Sequence, residues 1–93
     1  MIECEAGRLV IKVPMTMANA RGLLEAGRSV LQPGEQVFDF SQVIEADSSA
    51  VAVMLGWLRA ASLSRSTVKF AQIPKGVLSL AELYGVIDLL PRA

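Results

Sequence analysis

The stretch Glu45–Ala61, EADSSAVAVMLGWLRAA, constrains this chain most. At about 100° per residue, Val51, Met54, Leu55 and Leu58 fall within one arc, the stripe a helix needs to lie on a sheet. Ala50, Val53, Trp57, Ala60 and Ala61 fall on a second arc that points largely the other way. Only Ala52, Gly56 and Arg59 lie between, and of these Arg59 alone is charged. A helix over 48–63 built this way has no good water face. Two readings fit. Neighbouring helices bury the second arc, with alanine present for its helix propensity; or a partner protein covers it. Trp57 is the only tryptophan and lies opposite the stripe expected to face the core, and tryptophan is enriched at interface hot spots. The expectation carried forward is that Val53 and Trp57 anchor a partner, with Ala60 and Ala61 small enough to let its backbone approach.

The remaining elements follow from hydrophobic period and punctuation. Residues 2–5 and 8–13 read as a hairpin turning at Ala6-Gly7, ended by Pro14, which has no N–H to give a ladder. Thr16 or Asn19 is a candidate cap for an amphipathic helix over 17–31, carried by Leu23, Leu24, Ala26, Val30 and Leu31 and stopped by Gln32-Pro33-Gly34. Strands follow at 36–40 and 67–71 on either side of the long helix. A third helix over 77–84 ends at Gly85, and a short tail, 86–91, closes the chain. Val77, Leu80, Ala81 and Tyr84 line one side of that third helix, and Tyr84 is grouped with the partner surface. The order β-β-α-β-α-β-α implies crossover connections. The fold class is α/β: one domain spanning 1–93, with a four-stranded, mixed and mostly parallel sheet. About three helices pack mainly on one face of that sheet, leaving the other less protected. Apolar residues make up 53% of the 93, high for so small a domain, which adds to the case for a partner surface.

Composition removes several functions. Nine basic and nine acidic residues balance without a basic stripe, so no nucleic acid is expected as a partner. No apolar run approaches the roughly 18 residues that span a bilayer, so no direct membrane insertion is expected. The N-terminus, MIECEAGRLV, lacks a basic-then-apolar leader, and the expected location is the cytoplasm. The chain has no histidine and one cysteine, Cys4, expected in a strand as a small core or edge residue. Histidine-based catalysis, zinc sites and a phosphate-cradling glycine loop are all missing, so no metal, no cofactor and no enzyme activity are expected.

Asp47, Ser48 and Ser49 stand where the long helix begins. Aspartate and serine are favoured N-caps because their oxygens accept orphan backbone N–H groups. A helix N-terminus also attracts phosphate, and a phosphoserine adds about −1.5 to −2 charges. At Ser48, beside Asp47 and Glu45, that charge would repel a partner docked on the apolar helix.

A strand, Val37-Phe38-Asp39-Phe40-Ser41, then a loop, then Asp47-Ser48-Ser49-Ala50 opening a long helix resembles the STAS domain of bacterial anti-sigma factor antagonists and sulfate-transporter tails. Leu58-Arg59-Ala60-Ala61, Val68-Lys69-Phe70, Ile73-Pro74 and Leu80-Ala81-Glu82-Leu83-Tyr84-Gly85-Val86 with Leu89-Leu90-Pro91 resemble one branch. That branch is the small cytoplasmic STAS subunit of the Mla-type (toluene-tolerance) ABC transporter of outer-membrane lipid asymmetry. The likeness covers essentially the whole chain. Two positions depart from the family pattern. Val13-Pro14-Met15-Thr16 stands where Gly-x-Leu-Asp is common, with Thr16 a candidate for the Asp capping role; and Ala50 stands where glycine is common.

The resemblance implies a STAS fold and a non-catalytic subunit that binds and stabilises or tunes the transporter ATPase, itself held in a complex with a permease at the inner membrane. The competing implication is an anti-sigma factor antagonist whose partners are a serine kinase and an anti-sigma factor. The first hydroxyl after the Asp is the one phosphorylated in the antagonists, and it maps onto Ser48, the expected regulatory residue, with Asp47, Ser49 and Ala50 completing the motif. Val53, Trp57, Ala60, Ala61 and Tyr84 are the expected partner-binding residues, and the same surface leaves homodimerisation of the isolated chain open.

Overall fold

A computed structural model describes residues 1–93. The elements run β1 (Ile2–Glu5), β2 (Arg8–Ile11), α1 (Ala20–Ser29), β3 (Gly34–Asp39), α2 (Ser49–Leu63), β4 (Ser66–Ala71) and α3 (Lys75–Leu83), followed by a 3-10 turn at Ile87–Leu89. The sheet order is β1-β2-β3-β4. β1 and β2 are antiparallel, while β2/β3 and β3/β4 are parallel. The hairpin closes through Ala6 and Gly7, both at positive φ (51° and 79°), the pair of left-handed residues that matches the twist of its strands. The α/β expectation holds, including the mixed sheet and its helices.

Alternate strand residues point to the helices. Leu9 and Ile11, Phe38 and Phe40, and Val68 and Phe70 join Leu23, Val53, Met54, Trp57, Val77 and Ala81 in one core. The opposite face is charged rather than bare. Arg8 pairs with Asp39 (3.4 Å), Lys69 with Glu35 (3.3 Å), and Lys12 with Glu5. Cys4 is exposed on the edge strand β1. At the other edge, the Phe70 N–H donates to Pro91 O (2.8 Å) and the Ala93 N–H donates to Phe70 O (3.0 Å), so the C-terminal tail lies along β4.

The apolar helix α2 is the middle helix. It packs on α1, on α3 and on β4. That arrangement overturns the anchor role expected of Trp57 and Val53 and the close partner approach expected at Ala61. Trp57 is completely buried, and Val53 and Ala61 are buried with it. The indole stacks on Phe38 with ring centroids 4.2 Å apart, and its Nε1–H donates to Leu23 O at 3.1 Å. Both arcs of α2 are therefore used inside the domain, and a side chain wholly covered by its own fold has no surface left for a partner. Gly27 makes the α1–α2 approach possible: a Cβ there would sit 2.0 Å from Trp57 Nε1. Leu24 reciprocates over Gly56, where a Cβ would lie 2.6 Å from its Cδ1.

α1 is shorter than the expected 17–31. Residues 17–19 form a turn instead, and Asn19, at the N-cap position, uses its side-chain N–H to donate to Pro14 O (2.9 Å) rather than to cap the helix. Thr16 does not take the capping role either; its carbonyl accepts the Asn19 N–H within that turn.

Candidate functional site at the head of the central helix

Two loops meet where α2 begins. The Met15 N–H donates to Glu45 O (2.9 Å) and the Asp47 N–H donates to Met15 O (3.1 Å), a short parallel bridge that fixes the approach to the helix. Asp47 completes the join. Its Oδ2 accepts the Met17 N–H at 3.0 Å and its Oδ1 accepts the Ser49 N–H at 2.8 Å. The Met17 N–H and then the Ser49 N–H hold its carboxyl below the usual carboxylate range. Asp47 is thus the side chain that caps α2, and both its oxygens are engaged.

Ser48 is left free by that arrangement. It is exposed, and its hydroxyl makes no capping bond. The neighbouring motif residues turn inward: Ser49 is half-buried and Ala50 is fully buried in the core, where little more than a methyl fits. The motif therefore divides into a brace (Asp47), a presented hydroxyl (Ser48) and a packed helix start (Ser49 and Ala50).

Ser48 stands on the rim of an apolar groove between α2 and the end of α3. Val51, Ala52, Leu55, Tyr84 and Val86 complete its lining, around about 310 Å³. Tyr84, half exposed at the C-terminal end of α3, is the largest side chain there. Sequence reading placed Tyr84 here and missed Ala52, Leu55 and Val86. The signal for Ala52 and Leu55 was the strip of α2 at 48, 52 and 55, about one helical turn apart, which the two-arc reading split between faces. Ala60 lies in a different groove, between α1 and α2, about 18 Å along the helix from Ser48. Ser48 and Tyr84 come together; Ala60 does not join them.

Chemically the groove suits an apolar side chain, with a hydroxyl at its edge whose modification would change the local charge. No cluster of three or more His, Cys, Asp or Glu side chains forms a metal-binding group. No helix is long and apolar enough to cross a membrane.

The family model described as "Mlab, STAS domain" matches residues 2–91. The chain belongs to the STAS domain family. Its fold agrees: the structure of an anti-sigma-factor antagonist (STAS) domain protein from Planctomyces limnophilus superposes with a TM-score of 0.71. That match covers 99% of this chain and 86% of the other at 16% identity, a likeness of fold. No curated protein matches the sequence. STAS domains are typically non-catalytic and act through protein–protein interactions.

Proposed function

We infer that this STAS domain is the regulatory subunit of an Mla-type phospholipid ABC transporter, bound to the transporter ATPase on the cytoplasmic face of the inner membrane. The exposed, unbonded Ser48 hydroxyl on the rim of an apolar groove that ends at Tyr84 supports a regulated docking site, whichever partner fills it. The description of the matching family model favours the transporter branch. The ATPase docks an apolar side chain between Leu55, Val86 and Tyr84, and the subunit holds the ATPase in its working form without chemistry of its own. A negative charge at Ser48, next to Asp47 and Glu45, weakens the complex.

A second reading is a partner-switching regulator whose serine phosphorylation changes partners. It is supported by the same free hydroxyl and by the printed description of the Planctomyces limnophilus structure. A pull-down from native cytoplasm and membranes, read by mass spectrometry, separates the two. An ABC-type ATPase with its permease is expected; a serine kinase or anti-sigma factor in its place overturns the transporter reading. With the ATPase in hand, Ser48→Glu is expected to weaken binding about tenfold or more, while Ser48→Ala leaves it nearly unchanged. Equal affinities for the two variants would remove Ser48 from the interface.

A further inference from the structure

A second groove runs between α1 and the C-terminal half of α2, sharing no lining residue with the Ser48 groove. Leu24, Arg28, Gly56, Arg59, Ala60 and Leu63 enclose about 200 Å³. A more open hollow of about 400 Å³ adjoins this groove, sharing Arg28, Ala60 and Leu63 with it and adding Glu25, Ser29 and Ser64. Its floor is apolar, and Leu63, 84% exposed, stands at its edge. Its charges are unbalanced. Arg28 pairs only with Glu25, one turn back at 3.1 Å, and exposed Arg59 has no carboxylate partner. The helix-free sheet face ties Arg8, Lys12 and Lys69 to acids across strands, whereas Arg21, Arg65, Lys75 and Arg92 share with Arg59 the lack of an ion-pair partner. An unpaired guanidinium beside an exposed leucine and a concave apolar floor has the makeup of a binding surface.

We propose that the α1–α2 groove docks an acidic, amphipathic segment of a partner protein. An apolar side chain of that segment enters between Leu24, Ala60 and Leu63, and its carboxylates meet Arg28 and Arg59. The guanidinium fork pairs with carboxylates two bonds at a time, which sets the sign of the partner. The concave shape sets its class: a groove between helices takes the ridge of side chains of an amphipathic helix, whereas a bilayer surface is met by a protruding patch. Arg59 lies about 17 Å along α2 from Ser48, so both surfaces can be occupied at once, and this assignment does not depend on the identity of the partner at the Ser48 groove.

The test is a titration of the isotope-labelled full chain, followed by amide shifts. The probe is a synthetic helical peptide of about 14 residues, with Leu at every third and fourth position and Glu elsewhere. Saturable shifts at residues 24–29 and 56–64 are expected. Arg59→Glu, with an unchanged unfolding midpoint, is expected to weaken them about tenfold, and the same peptide with Lys for each Glu is expected to give none. The proposal is overturned by the absence of saturation or by shifts at 48–55 and 84–86 instead. It is equally overturned by an equal response to the Lys peptide, or by Arg59-dependent binding to phosphatidylglycerol vesicles alone.

Discussion

At the residue scale, two side chains do more than their sequence suggests. Trp57 is inserted between Phe38 and α1, and Gly27 is the opening that admits it. Adding a methyl at Gly27 drives a Cβ into the indole, which cannot retreat because Phe38 stacks on it. Gly27→Ala is expected to cost about 2–3 kcal/mol in urea unfolding. Gly76→Ala, where a Cβ meets nothing within 4 Å, is expected to be near neutral. Similar losses in both would show that backbone effects, not the Trp57 contact, govern Gly27. Asp47 braces two loops through the Met17 and Ser49 N–H groups. Its folded-state carboxyl is lowered, so the stability it contributes is fully present above the ordinary carboxylate value, about pH 4. It is lost as pH falls through the lowered value. Asp47→Asn is therefore expected to be less stable at neutral pH and to lose less on acidification than the parent. Parallel acid limbs for the two proteins in pH-dependent unfolding would refute that linkage.

At the scale of elements, the periodicity of the chain was enough to order the strands and helices, because apolar spacing and Gly/Pro punctuation are local properties. The failures lie where one element leans on another. α1 starts at Ala20 because residues 17–19 are drawn into a turn that Asp47 and Pro14 hold. The Trp57 arc was misassigned because a two-sided wheel assumes one buried face, and α2, between α1 and α3, has three. A glycine inside α1, at 27, was the sequence trace of that close approach. The site was legible at Ser48 and Tyr84, which lie on the groove, and not at Leu55 or Val86, which it takes the α2–α3 packing to bring together. The α2 start also separates two roles for Ser48. A true N-cap lost to alanine costs about 1 kcal/mol. Because Asp47 does the capping, Ser48→Ala is expected to change stability by less than about 0.5 kcal/mol, and Ser48→Glu to be no less stable, since a helix N-terminus favours negative charge. Thermal unfolding of both variants checks this. A loss near the full capping value in Ser48→Ala would make Ser48 a structural cap, and any binding defect in its variants would then lose its meaning.

At the scale of the molecule, the domain has two unlike sheet edges. β1 is short and carries Glu3 and Glu5, charges that discourage another strand from adding there. β4 lies at the other edge, and its residues Val68, Phe70 and Ala71 are buried; it is closed by the tail instead. Pro91 O and the Ala93 N–H take up both backbone groups of Phe70, and Leu90 is buried as the tail passes. Proline is tolerated at 91 because β4 needs only its carbonyl: the Phe70 N–H donates to Pro91 O, and the donor to Phe70 O is the Ala93 N–H. The tail therefore contributes a buried leucine, worth about 1.5–3 kcal/mol by burial, and also keeps an apolar strand from meeting a second copy. Removing residues 90–93 is expected to lower unfolding stability by at least about 2 kcal/mol and to give concentration-dependent association in sedimentation velocity. Leu90→Ala, which keeps the backbone pairing, is expected to lower stability while the protein stays monomeric. If that substitution also associates, buried area rather than strand pairing guards the β4 edge, and the tail acts as core rather than as a cover.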